Sequence, residues 1–77
     1  MAFRIRVVDL DNGEGTVTLP PGRLMALEGE GGSVSFNNRG STFAAGDRLS
    51  GAEEFVEGEA VFYGTPGSTA RAWFRFE

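Results

Sequence analysis

Four carboxylates, Glu53, Glu54, Glu57 and Glu59, fall within seven residues. A carboxylate pair serves general acid–base or glycosidase chemistry when a cleft encloses the substrate between its members. Nothing else in the chain offers a complementary base or an oxyanion donor. A solvated acidic edge accounts for the run, because charges on an edge block unwanted strand pairing. Asp9-Leu10-Asp11-Asn12-Gly13-Glu14 looks briefly like a calcium loop. Counted from Asp9, such a loop needs an acceptor where Gly13 stands, glycine where Glu14 stands and glutamate where Pro20 stands. The segment reads better as a polar turn between strands. Arg71, Trp73 and Arg75 alternate along the last apolar segment, and Arg4 and Arg6 along the first. If these terminal strands pair, four guanidinium groups are expected to surround one indole. That face suits an acidic protein surface, such as the Glu53–Glu59 stretch of a neighbouring copy. It also suits a nucleotide, which would stack on the indole and place its phosphates on the arginines. Ordinary solvent-facing arginines, with Trp73 covered by their stems, use the same residues.

The residues that are missing narrow the chemistry. The 77-residue chain has no Cys, His, Lys or Gln. A thiolate nucleophile, a disulfide framework, a Cys/His zinc site and the usual neutral-pH proton carrier are all excluded. No catalytic residue, cofactor or metal is expected, and the chain reads as a non-enzyme. Eleven carboxylates against seven arginines give a net charge of −4, which disfavours a free-standing nucleic-acid binder. A hydrophobic fraction of 40% is too high for a disordered tail at this charge. No apolar run approaches the ~20 residues of a spanning helix. The N-terminus alternates apolar and charged residues, so neither a signal peptide nor a membrane partner is expected, and synthesis in a cytoplasm is.

The elements that must position these side chains read as strand, turn, strand throughout. Phe3 to Val7 alternates, with Phe3, Ile5 and Val7 expected inward. Asp11 to Gly15 is a turn, with the Asn12-Gly13 hairpin signal. Thr16 to Leu19 is a strand. Pro20-Pro21-Gly22 fits a type II turn with positive φ at Gly22. Strands follow over 23–28 and 33–37, and Asn37-Asn38-Arg39-Gly40 turns the chain again. Residues 41–51 are the least regular, anchored by Phe43 and Leu49, and Asp47 after Gly46 fits a turn with a side-chain-to-backbone bond. Residues 52–57 suit a helical turn or a short edge strand, and Glu59 to Tyr63 a strand. Thr65-Pro66-Gly67-Ser68 fits a second type II turn. In the last strand Ala70, Ala72, Phe74 and Phe76 face one way, and Thr69, Arg71, Trp73 and Arg75 the other. No segment sustains a helical period over ten residues or more.

About seven short strands with frequent turns predict one all-β domain over residues 1–77, a small antiparallel sandwich or barrel with sequential strands adjacent. The expected core is Phe3, Ile5, Val7, Val17, Leu19, Leu24, Leu27, Val34, Phe36, Phe43, Leu49, Val61, Phe74 and Phe76.

In style the chain resembles small β-rich phage virion proteins, the head decoration (cement) and tail-associated domains. "VTLPPGRLMAL", the short Gly/Ser-rich hairpins and the closing "YGTPGSTARAWFRF" carry the likeness. The resemblance implies a structural role in a virion assembled in a host cytoplasm, stabilising a larger assembly. Physics points the same way, because a short glycine-rich domain gains stability by docking. The expected partners are protein: itself, as a homo-oligomer, or a capsid- or tail-like body. Arg4, Arg6, Arg71, Trp73 and Arg75 form the expected basic side of the interface, and Glu53, Glu54 and Glu57 the acidic side. The alternative is a small ligand-binding module for a nucleotide or glycan that uses the Arg/Trp face.

Overall fold

The computed structural model describes residues 2–46 and 48–76; the expected Asp47 turn contact lies outside them. Six strands follow in order: β1 (Ala2–Leu10), β2 (Glu14–Glu30), β3 (Val34–Asn38), β4 (Ser41–Ala45), β5 (Ser50–Gly64) and β6 (Ser68–Phe76). They form one antiparallel sheet in the order β1-β6-β2-β5-β3-β4. The all-β antiparallel class is the one expected from sequence. The strand count is six because the expected boundaries at Pro20–Gly22 and between residues 57 and 59 lie inside the longer strands β2 and β5, while the irregular stretch after Gly40 supplies β4.

The first bulge is at the prolines. Pro20 and Pro21 lie opposite Glu57 alone, between the pairs Leu19–Gly58 and Gly22–Val56. Proline has no N–H to give a ladder, so a bulge, where pairing lapses, accommodates both. The expected type II turn is therefore absent, and β2 continues through a bend. Gly22 has no positive φ. It is glycine because β6 presses on it: a Cβ there would lie 2.5 Å from the Arg75 carbonyl oxygen and from a ring carbon of Phe76. A second bulge at Met25 separates the pairs Leu24–Phe74 and Ala26–Trp73.

The hairpin signals divide. Asn38-Arg39-Gly40-Ser41 closes β3 on β4 with positive φ at both Arg39 (54°) and Gly40 (84°), the signature of a type I′ turn. Thr65-Pro66-Gly67-Ser68 turns as expected, with Ser68 N–H donating to the Thr65 carbonyl at 2.9 Å and Gly67 at φ 88°. Asn12-Gly13 also turns the chain, yet β1 and β2 are not neighbours, because β6 inserts between them. The Leu10 carbonyl accepts from both Gly13 N–H (3.0 Å) and Gly67 N–H (2.8 Å), and Gly64 N–H donates to the Gly13 carbonyl (2.9 Å). These bonds lock the two turns together and bring β6 alongside β1. Only β3 and β4 keep the expected adjacency of sequential strands.

The sheet rolls around its core. Phe36 on β3 and Phe74 on β6 have β2 and β5 between them in the strand order, yet their ring centroids are 6.0 Å apart. Phe36 also packs on Phe62 at 5.1 Å, and Phe74 stacks on Phe76 at 5.5 Å. Gly29 N–H donates to the Gly46 carbonyl at 2.8 Å, tying the end of β4 to the end of β2. Leu10, Leu24, Leu27, Val56, Phe62 and Phe74 are fully buried. The expected core holds for Leu19, Leu24, Leu27, Val34, Phe36, Phe74 and Phe76, with Val17 and Phe43 packed against it. It fails for Phe3, Ile5, Val7 and Leu49, all exposed, and Val61 is half-buried. Leu49 lies in the link between β4 and β5.

Two polar residues are buried among those described, Asn38 and Ser68, and the Ser68 hydroxyl donates to the Thr65 carbonyl at 2.6 Å. Asn38 donates from Nδ2 to the carbonyls of Glu57 (3.1 Å) and Glu59 (2.9 Å), and its Oδ1 accepts from Glu57 N–H (3.2 Å). Gly58, between those glutamates, has φ 84°. Asn38 thus straps the kink in β5 to the end of β3 and satisfies groups that the ladder leaves unpaired.

Candidate interaction surface

The two faces of β1 are reversed relative to expectation. Its register against β6 pairs Phe3 with Arg75, Ile5 with Trp73, Val7 with Arg71 and Asp9 with Thr69. Directly opposed residues in an antiparallel pair share a face. Phe3, Ile5 and Val7 therefore stand beside Trp73 and its arginines on the outside of the sheet, and they are 66%, 57% and 58% exposed. Arg4 and Arg6 lie opposite Phe74 and Ala72, on the inward face at the open rim of the core, where both remain exposed. The expected cage of four guanidiniums around one indole does not form. Arg71, Trp73 and Arg75 share a face; Arg4 and Arg6 are on the other. The physical reason is parity. Leu10 is fully buried and Val8 packs against the core, so the even residues of β1 face inward and the odd residues cannot.

The outer face continues onto β2 and β5. Arg75 and Phe55 both lie opposite Arg23, so one row runs Phe3, Arg75, Arg23, Phe55 across four strands. The next row is Ile5, Trp73, Ala26; then Val7, Arg71, Glu28; then Asp9, Thr69, Glu30. Arg71 is neutralised within the chain, with Nη1 3.5 Å from Glu28 and Nη2 2.5 Å from Glu30. Thr69 donates to Asp9 at 3.4 Å. At the other end Arg23 and Arg75 are cross-strand neighbours, and neither has an ion pair among the described residues. Arg75 Nε is buried with no hydrogen-bond partner among them. Like charges directly opposed in a sheet repel. The face therefore has an apolar waist between a positive end and a negative end, on a sheet whose β1 edge is open.

The acidic residues are elsewhere. Glu53, Glu54 and Glu57 lie on the first half of β5, whose strand partner there is β2; Glu53 and Glu54 line a free edge, and the backbone of Glu57 is capped by Asn38. Glu57 pairs with Arg39 at 3.0 Å. Glu54 lies opposite Leu24 and Glu59 opposite Thr18, and the four glutamates do not converge on a cleft. Asp11 and Glu14 are exposed around the first turn. Among the described residues no three carboxylates gather in a metal-holding group. A shallow open trough of about 450 Å³ lies across β3, β4 and β5, lined by Ser33, Ser35, Tyr63 and Thr65 with Val34, Ala44 and Gly64.

Sequence reasoning placed Phe3, Ile5 and Val7 in the core and did not single out Arg23 and Phe55 for this face. The pair Val7-Val8, where the alternation changes phase, was the one available signal. No family model, curated protein or solved structure matches this chain.

Proposed function

We propose that this chain is a structural interaction protein, an accessory subunit of the virion-decoration kind, which works by burying the outer face of β1, β6 and β2 against protein. One observation carries the reading: an open edge strand turns Phe3, Ile5 and Val7 to solvent beside Trp73. Contiguous apolar surface of this kind, rimmed by charge, marks an interaction site. Aromatic and arginine side chains are the usual anchors of such interfaces. The role is non-catalytic and needs no cofactor. Pairing of Arg71 with Glu28 and Glu30 lowers the positive charge available to a phosphate, which favours protein over nucleotide as the occupant.

The test has two steps: capsid or tail genes are expected to flank this chain's gene, and the chain is expected to co-sediment with the particle they encode. Wild type is expected to travel with the particle, and the Ile5→Asp/Val7→Asp double variant to stay behind while keeping its circular dichroism spectrum. Absence of the wild-type chain from particles, or equal binding by the variant, would overturn the reading.

A further inference from the structure

Resting on the reading that this face docks, we propose that its occupant is a second copy of the chain. The two copies stack face to face about a two-fold axis that lies between the sheets and runs along the Ile5–Trp73 row, at right angles to the strands. The charge layout selects this partner. Among the described residues of β1, β6 and β2, Arg23 and Arg75 make one end of the face positive by two, and three carboxylates (Asp9, Glu28, Glu30) with one guanidinium (Arg71) make the other end negative by two. A two-fold in that position reverses the strand direction and keeps the strand order. The positive end of each copy then covers the negative end of the other, and Ile5 and Trp73 meet their own counterparts at the centre. A two-fold interface must be self-complementary in this way. Arg23 faces the partner's Glu28, and Arg75 faces the partner's Arg71, whose charge Glu28 and Glu30 already balance.

The same residues argue against the other two-fold arrangement, in which the open β1 edges pair into a continuous sheet. Registers that align the apolar stripes, centred on Arg4, Ile5 or Arg6, set Arg4 or Arg6 directly beside an arginine of the other copy. Opposed like charges disfavour all three, and charged side chains on an edge are a common guard against strand addition. A face-to-face dimer leaves every other surface present in two copies, so a repeating particle lattice would bind it bivalently.

Analytical ultracentrifugation of the full chain from about 1 µM to about 1 mM tests this over the span of ordinary protein affinities. A monomer–dimer equilibrium is expected, weakened roughly 100-fold by Ile5→Asp and weakened by salt. Arg23→Glu and Glu28→Arg should each weaken self-association. Their mixture should form a heterodimer at least about tenfold tighter than either homodimer, because the swapped charges meet each other and the native pair is retained. Arg4→Ser/Arg6→Ser should leave affinity unchanged; tightening would mean edge pairing and overturn the arrangement. A wild-type chain that is monomeric at about 1 mM overturns the proposal whatever the variants do. A monomer that still travels with the particle sinks only the second-copy assignment. A dimer absent from the particle sinks only the virion role.

Discussion

Replacing Leu10 and Ile5 with alanine, one at a time, tests the parity of β1. Both are aliphatic residues of similar size on one strand. Leu10 is fully buried and Ile5 is 57% exposed. The Leu10 side chain packs over two glycine backbones: a Cβ on Gly64 would lie 2.8 Å from its Cδ1, and one on Gly15 would lie 3.3 Å from its Cδ2. Such a floor has no side chain to fill a void, and the Leu10 backbone is pinned by the hydrogen bonds its carbonyl accepts from Gly13 and Gly67. Truncation should leave a cavity that collapses little, placing the cost in the upper half of the ~2–5 kcal/mol seen for buried leucine to alanine. In a domain of this size about 1 kcal/mol moves Tm by roughly 4–8 °C, so a fall of about 14 °C or more is expected. Ile5→Ala removes surface already in water and should cost within about 0.5 kcal/mol. Urea denaturation followed by far-ultraviolet circular dichroism gives both values. The runs should use low protein concentration, because self-association would add stability that depends on concentration. An Ile5→Ala loss larger than the Leu10→Ala loss would refute the assignment of faces, and with it the docking surface.

Asn38→Leu should destabilise by about 2–3 kcal/mol in the same assay, since it leaves two carbonyls and one N–H of β5 without their partner at a part-buried kink. Gly22→Ala should cost about 1–3 kcal/mol by forcing the end of β6 away, and urea melts should show it; a neutral result would mean that β6 does not press on that backbone. Arg39→Asn should stabilise by roughly 0.5 kcal/mol, because the left-handed backbone suits asparagine and the lost pair with Glu57 is exposed. Titration of Trp73 fluorescence with nucleotides and oligosaccharides should give no saturable quenching; a saturable response abolished by Arg71→Ala would favour the ligand-binding reading.

The legible parts of the sequence were those where only one arrangement satisfies the pattern. In β6, Ala70, Ala72, Phe74 and Phe76 alternate with polar or amphipathic residues over the whole strand, and every residue faces as expected. In β1 the alternation defines two faces without saying which one is inward. Phe3, Ile5 and Val7 carry more apolar surface than Val8 and Leu10, so composition favours the wrong face. The choice is made by the hydrogen bonds that hold Leu10 against the Gly64–Gly67 turn, and these come from residues more than fifty positions away. Proline followed by glycine is equally consistent with a turn and with a bulge. A strand continues through Pro20 and Pro21 because β5 supplies partners on both sides of them. Asn38 carries the sequence signal of a turn residue, and its role as a buried strap depends on a kink in a strand two elements later. The Arg/Trp cluster was readable as far as Arg71, Trp73 and Arg75; its apolar half required the register of β1.

The exposed stripe bears on stability as well as on recognition. At roughly 0.05–0.15 kcal/mol per residue, a domain of 77 residues has about 4–12 kcal/mol to hold it folded. Full burial of a large aliphatic or aromatic side chain contributes about 1.5–3 kcal/mol, and Phe3, Ile5 and Val7 each have more than half of that still unrealised. Covering the three would add on the order of 3 kcal/mol per protomer, before the entropy of association is subtracted. That gain is a substantial share of the stability of the isolated chain. Because β1 is an edge strand paired only with β6 and tied by the turn at Leu10, the face that docks includes a part of the fold open to fraying. Docking and completion of the fold are thus coupled through one strand. A mutation that loosens β1 should weaken association even where it touches no partner atom, and a partner seated on the face should protect the amides of β1 and β6 more than those of β3 and β4.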